Sequence, residues 1–206
     1  MVAALFVAGS SQSVLTENTT GALGRDGYRQ RVRTFIFIAG APGSGKSSVA
    51  AALQRKLGTP LFEFGWIPEF RNTGTRVISY EEDESLAFEN LALVLGNYAR
   101  HGFRNIIVTD LENKRIEHLG TVFRDFDFVI VTLRVIDESE LRRRVTDESR
   151  SSGYRDWQES VRINRHLLQR PPFPNERFVD VRSESVEEVA DRVRELARLS
   201  PPSPGP

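Results

Sequence analysis

An apolar run, Phe35-Ile36-Phe37-Ile38-Ala39, leads straight into Gly40-Ala41-Pro42-Gly43-Ser44-Gly45-Lys46-Ser47, and an apolar-faced segment, Ser48-Val49-Ala50-Ala51-Ala52-Leu53, follows. The central block reads G-x-x-x-x-G-K-S between a buried strand and a helix, the context in which this pattern cradles phosphate. Its glycines permit backbone angles that side chains forbid. Their amides can then close around phosphate oxygens at a helix N-terminus whose dipole favours anions. The expectation is that Gly40, Ala41, Pro42, Gly43, Ser44, Gly45, Lys46, Ser47 and Ser48 bind nucleotide phosphates. Lys46 is expected to reach the β- and γ-phosphates, and the Ser47 hydroxyl to hold Mg2+. The lysines of the chain are Lys46, Lys56 and Lys114, and one of them occupies the phosphate position.

The rest of the composition narrows the class. A chain of 206 residues with 39% apolar residues suits one domain with a sizeable core. Its net charge is zero, with basic residues spread along the chain, so it lacks the electrostatic footprint of a duplex nucleic-acid or anionic-membrane binder. With no cysteine, disulfides, thiolate metal sites and thiol nucleophiles are excluded, and a cytoplasmic setting is expected. No run approaches the roughly 18 apolar residues of a membrane span. The opening Met1 to Gly9 is apolar but lacks the basic start of a signal peptide. Residues 1–33 read as a flexible extension, 34–199 as one domain, and 200–206 as a Pro-rich tail.

Along the domain, strands alternate with helices. After the first helix, which Gly58-Thr59-Pro60 ends, Leu61-Phe62-Glu63 reads as a strand. A helix follows from Tyr80 to Arg100, with Leu86, Leu91, Leu93, Val94, Leu95 and Tyr98 as its apolar face. Asn105 to Asp110 is a short strand, Asn113 to Leu119 a polar helix, and Phe128 to Leu133 another strand. Helices over Asp137 to Arg144 and Asp156 to Gln169 precede a last strand, Arg177 to Val181. The final helix, Ser185 to Leu199, has a Ser185/Glu188 capping box and an apolar side of Val186, Val189, Val193 and Leu196. Mostly unbroken apolar strands alternating with helices mean an α/β fold with a parallel sheet covered on both faces. Such a fold brings the phosphate loop, Glu63 and Asp110 to one edge of the sheet.

Asp110, an acid at a strand end, is expected in the Mg2+ shell. Glu63 is the candidate for orienting or deprotonating an acceptor hydroxyl. Arg142, Arg143, Arg144, Arg150 and Arg155 surround a polar segment able to close over a triphosphate, with Arg142 and Arg150 the preferred phosphate contacts. Trp66, Phe70, Tyr154 and Trp157 could line an acceptor pocket or complete a core. His101, His118 and His166 have no metal-ligand spacing and read as surface residues.

Taken together, the phosphate loop Gly40 to Ser47, the strand-end Glu63, the helix before strand Ile106 to Asp110, the Arg-rich segment and the terminal Phe178-Val179-Asp180-Val181 unit resemble the P-loop small-molecule kinases. That group includes nucleoside monophosphate kinases, shikimate and gluconate kinases, and chloramphenicol phosphotransferase. The resemblance implies a three-layer α/β/α sandwich with a mainly five-stranded parallel sheet, a helical lid over about residues 142–156, and transfer of the γ-phosphate of ATP with Mg2+. It also implies that Arg182, in the turn after the last strand, sits near adenine. Where some members carry D-x-D after the second strand, this chain has Glu63-Phe64-Gly65, and the D-G-F-P-R of adenylate kinases is replaced by Asp110-Leu111-Glu112-Asn113.

The reading is therefore an ATP-dependent phosphotransferase acting on a hydroxyl of a small metabolite, nucleoside or antibiotic, as a monomer or homodimer. The alternative is an ATP-hydrolysing switch, or an ATP-binding protein, working through a protein partner. A guanine-reading N-K-x-D is absent, since Asn113-Lys114-Arg115-Ile116 lacks its final acid.

Overall fold

The computed structural model describes residues 32–67, 78–149 and 152–200. In chain order these form β1 (Phe35–Gly40), α1 (Lys46–Leu57), β2 (Leu61–Glu63), a 3-10 turn (Phe64–Trp66), α2 (Tyr80–Arg100), β3 (Ile106–Thr109), α3 (Asn113–Val122), β4 (Phe128–Val135), α4 (Glu138–Thr146), α5 (Trp157–Gln169), β5 (Glu176–Val181) and α6 (Val186–Leu196). The strands make one five-stranded sheet in the order β2-β3-β1-β4-β5, parallel at every pairing. β1 is central, so its backbone is bonded on both sides and its side chains are buried on both faces.

Alternation along β1 divides the core into two layers, because successive side chains leave opposite faces of a strand. Ile36 and Ile38 pack with Val49, Ala50 and Leu53 of α1 and Val189, Ala190 and Val193 of α6. Phe35, Phe37 and Ala39 pack with Phe88, Leu91 and Leu95 of α2 and with Ile116 and Leu119 of α3. The second layer is rich in aromatic contacts. Phe123 lies 5.1 Å from Phe35 and 5.3 Å from Phe37, ring centre to ring centre.

The helices begin where the sequence supplies caps. Ser79, Asp137 and Asp156 accept from the first-turn amides of α2, α4 and α5, and Ser185 and Glu188 close a full capping box on α6. Two of the expected apolar faces need correction. In α2 the buried stripe is Ala87, Phe88, Leu91, Leu95 and Ala99, whereas Leu86 and Leu93 point outward and Leu93 is 66% exposed. Leu86 and Leu93 stand a heptad apart on a stripe rotated away from the sheet, so hydrophobicity alone misassigned them. In α6, Val189, Ala190 and Val193 are buried, and Val186 and Leu196 sit exposed at its ends.

The folded body extends slightly beyond the expected limits. The Arg33 N–H donates to the side-chain oxygen of Asn105 at 2.8 Å, the Asn105 N–H donates to the Arg33 carbonyl at 2.7 Å, and the Asn105 side-chain amide donates to the Ser200 carbonyl at 2.7 Å. One buried asparagine thus ties both ends of the domain to the start of β3. The rest of the expected extension, residues 1–31, and the tail, 201–206, lie outside the described residues. Among the described residues no helix is long and apolar enough to cross a membrane.

Truncating Phe123 to Ala should cost about 3 to 5 kcal/mol, because it removes a fully buried ring from a layer that cannot collapse onto the gap. Urea denaturation monitored by circular dichroism checks this, and a loss under about 1 kcal/mol would mean that the aromatic layer is loosely packed.

Candidate active site

The segment from Gly40 to Gly45 joins β1 to α1 at the carboxyl edge of the sheet. Gly40, Gly43 and Gly45 all have positive φ, and Gly45 is the N-cap of α1. A turn of this kind aims successive amides into one concavity, which suits an anion. The loop is also wedged in place. A Cβ at Gly40 would lie 2.6 Å from Ser44 Oγ and 2.7 Å from the Leu133 carbonyl. One at Gly43 would lie 2.6 Å from Val145 Cγ2 and 3.2 Å from Leu141 Cδ1 of α4. From α5, the buried Ser160 hydroxyl donates to the Pro42 carbonyl. Lys46 Nζ donates to the Ala41 carbonyl at 3.2 Å, curling the side chain back over the loop. Ser44 Oγ is buried beneath the loop without a hydrogen-bond partner.

Two cavities open around this loop. The larger, about 840 Å³, is walled by Gly43, Gly45, Lys46, Ser47 and Ser48, by Glu63 and Asp110 at adjacent strand ends, and by Arg143 and Arg144 of α4. The smaller, about 460 Å³, lies between Gly40, Pro42 and Lys46 on one side, the segment Asp110 to Lys114 on a second, and Tyr154, Glu159, Arg162 and Ile163 on a third. Pro42, Lys46, Asp110 and Tyr154 border both. The two spaces therefore meet at an ammonium, a carboxylate and a phenol.

Strand geometry explains the acids. Glu63 pairs with Thr109 in register, so the carboxylates of Glu63 and Asp110 leave neighbouring strand ends. Asp110 has φ of 69°, a left-handed conformation that aspartate tolerates and that turns the chain sharply out of β3 into the crevice. The nearest atom to a Cβ at Gly65 would be Asp110 Oδ2, at 3.3 Å. A second acid at position 65 would therefore crowd Asp110.

The arginines are sorted by helix phase. With Leu141 and Val145 of α4 turned into the core, Arg143 and Arg144 face the larger cavity. Arg142, one of the two arginines favoured from sequence, borders neither cavity and instead stacks on the Trp157 ring of α5 at 4.3 Å. Glu140 holds both cavity arginines: Arg143 through Nε at 2.7 Å and a second nitrogen at 2.8 Å, and Arg144 through Nε at 2.8 Å. Those guanidinium bonds, Arg143's first, pull the Glu140 carboxyl down to about 2. Arg182 is exposed, borders neither cavity, and meets α4 through its carbonyl, which faces Arg144 at 3.5 Å. Arg155 turns back to the Ser152 and Tyr154 carbonyls. Arg150 and Phe70 lie outside the described residues. Trp66 is largely exposed, while Trp157 and Tyr154 pack partly into the core, and the three histidines are exposed.

Residues that sequence reasoning passed over include Ser160, Glu140, Glu159, Arg162 and Lys114. Ser160 carried a usable signal, since it falls among the buried positions of α5 together with Val161, Asn164 and Leu167. The others are charges on polar helix faces, indistinguishable in sequence from solvated ones.

Residues 33–197 match the family described as chloramphenicol phosphotransferase-like protein. No curated protein matches by sequence. Among solved structures, the tunicamycin resistance protein of Deinococcus radiodurans is similar with a TM-score of 0.62 and 16% identity, covering 82% of this chain and 98% of its own. A sugar kinase from Janibacter sp. HTCC2649 has a TM-score of 0.58 and 17% identity, over 81% of this chain and 95% of its own. A shikimate kinase from Bacteroides thetaiotaomicron has a TM-score of 0.53 and 21% identity, over 80% and 98%. At these identities the three structures speak to the fold.

Because the folded carboxyl of Glu140 titrates near 2 instead of 4.5, its stabilising contribution is complete above the unfolded value and disappears as pH falls from about 4.5 to about 2. Replacing Glu140 by Gln should therefore lower the melting temperature at pH 7 and make no difference near pH 2. An unchanged gap between the two proteins across that range, followed by calorimetry, would contradict the assignment.

Proposed function

The chain belongs to the chloramphenicol phosphotransferase-like protein family and is an ATP-dependent small-molecule phosphotransferase, and on that premise we propose how its crevice divides the work. The larger cavity takes the triphosphate of ATP, the smaller takes the acceptor, and reaction occurs where both open onto Lys46 and Asp110. The observation that carries this reading is the meeting of two differently lined spaces at one lysine of the phosphate loop.

In this reading, backbone N–H groups of the loop and of the first turn of α1, up to Ser48, enclose the phosphate oxygens, favoured by the α1 dipole. Lys46 exchanges its bond to the Ala41 carbonyl for the β- and γ-phosphates. Arg143 and Arg144, already oriented by Glu140, offset charge spread over the transferring group. The oxygen pair Ser47 and Asp110 fits Mg2+, a hard cation commonly held by one or two side chains plus substrate phosphates. When bound, Mg2+ supplies charge neutralisation at the phosphate oxygens. An acceptor hydroxyl in the smaller cavity forms the new O–P bond as the bond from Pγ to the leaving ADP oxygen breaks. The hydroxyl proton passes to the Glu63 carboxylate, which lines the larger cavity at the strand end beside Asp110, where the two spaces meet. The remaining catalysis is positioning and exclusion of water.

The acceptor class is tested by measuring ADP release with Mg2+ and ATP across phenicols, nucleosides, sugars, aminoglycosides and nucleoside antibiotics. Stimulation by one class supports the reading. ATP binding without stimulation by any of them would instead favour a switch or a binder acting through a protein. With a working acceptor, Glu63→Gln should lower kcat by about 100-fold or more while ATP affinity stays within a few-fold, in line with general-base contributions. Lys46→Ala should abolish both turnover and tight ATP binding. An unchanged kcat in the Glu63 variant would remove that residue from the chemistry.

A further inference from the structure

The wall of the smaller cavity opposite Tyr154 and Arg162 carries a charge cluster that the chemistry above does not use. Lys114, in the first turn of α3, is half-exposed to the cavity, and its ammonium lies 3.1 Å from Glu112 and 3.3 Å from Glu84. Glu84 projects from α2 and is only 4% exposed. Arg115 holds it from a second side through Nε at 3.0 Å and through a terminal nitrogen, while another bond from Arg115 reaches Ser85 Oγ at 2.8 Å. The Arg115 guanidinium also covers the Phe88 ring at 5.0 Å. Glu112 receives the Tyr80 hydroxyl at 2.6 Å. The cluster thus fastens the first turn of α2 to the first turn of α3, at the point where the chain leaves Asp110.

A lysine ammonium has three N–H donors. Lys114 forms ion pairs with Glu84 and Glu112, which engage two of these donors, and among the described residues no third side chain pairs with its ammonium. Burying Glu84 is costly unless its partners stay in place, so the arrangement resists being pulled apart by a ligand. The charges of Glu84, Glu112, Lys114 and Arg115 sum to zero. A donor embedded in a neutral cluster has little attraction for a distant anion, yet it still discriminates sharply between an oxygen within reach and no oxygen.

We propose that Lys114 is a specificity-determining residue that donates its third N–H to an uncharged oxygen of the acceptor, a hydroxyl or carbonyl, and that Glu84 and Glu112 are its positioning residues. The inference rests on the kinase reading above, since it takes the smaller cavity as the acceptor's. It excludes acceptors that need a phosphate or carboxylate recognised at this wall.

The test is steady-state kinetics of the full chain with Mg2+, ATP and the best uncharged acceptor from the panel, comparing Lys114→Met with the unmodified protein. Lys56→Met, a lysine paired with Glu187 and Asp191 outside both cavities, serves as the control. Lys114→Met should raise the acceptor KM at least tenfold, leave the ATP KM unchanged, and lower kcat less than threefold. Deoxy or decarbonylated analogues of the acceptor identify the oxygen involved: for one of them the unmodified protein should lose at least tenfold in kcat/KM, and Lys114→Met should lose almost nothing further. That non-additivity is not produced by a fold defect. Glu84→Gln, checked for folding by circular dichroism, should reproduce the acceptor KM effect. Unchanged acceptor KM in Lys114→Met, additive losses for every analogue, or preference for an anionic acceptor would overturn the inference while leaving the kinase reading intact. No stimulation of the unmodified protein by any acceptor would overturn the kinase reading and this inference with it.

Discussion

The wedge of Gly43 against Val145 and Leu141 is the contact on which the site depends. A phosphate loop works only if its amides stay aimed into one concavity, and backbone this rich in glycine does not hold itself. Here the loop is fixed from three sides: by the central strand β1 below, by α4 through the Gly43 contact, and by α5 through the Ser160 bond to Pro42. Because β1 is bonded to both β3 and β4 and buried on both faces, the base of the loop moves only if the core moves. The glycines then supply the angles, and the packing removes the entropy that glycine would otherwise retain.

Charge in the crevice follows a consistent rule. Glu140 grips Arg143 and Arg144, Glu159 grips Arg162 with two bonds of 2.6 Å, and Glu84 and Glu112 grip Lys114. Each pairing spends some of the cation's attraction for phosphate and gains orientation, since a long side chain held in one geometry loses less freedom when a ligand arrives. If the crevice binds a triphosphate as proposed, long-range pull on it would come mainly from the amides of the loop, the α1 dipole and Lys46. In that reading the arginines would act at short range, where a fixed fork matters more than net field.

Much of this was legible in the chain. The glycine-rich loop, the alternation of strands and helices, the strand-end acids and the Ser185/Glu188 capping box each follow from local rules of backbone geometry, and each stands where those rules put it. What could not be read was helix phase. Sequence placed Leu86 and Leu93 in the core and favoured Arg142 for phosphate, yet α2 turns both leucines to solvent and α4 sends Arg142 onto Trp157 while its neighbours face the cavity. A rotation of about 100° per residue separates these outcomes, and tertiary packing sets it. The carboxylate partners of the cations escaped for the same reason. Glu84 and Arg115 are far apart in the chain and meet only because α2 and α3 lie side by side on one face of the sheet.

The placement of α5 carries the argument one step further. It supplies Glu159, Arg162 and Ile163 to the smaller cavity, and its Ser160 is bonded to the carbonyl of Pro42, which borders both cavities. Asn164 of the same helix bonds both backbone groups of Val135 at the end of β4, at 2.9 Å and 2.7 Å. A helix pinned to the sheet at one turn and to the phosphate loop at the preceding turn cannot swing freely as a lid. Its inner turns belong to the rigid frame. In the proposed reading, the acceptor in the smaller cavity meets a wall that is pinned on the α5 side and braced by a buried charge cluster on the α3 side. A cavity with two such walls selects by shape and by single hydrogen bonds, and has little scope for refolding around whatever enters.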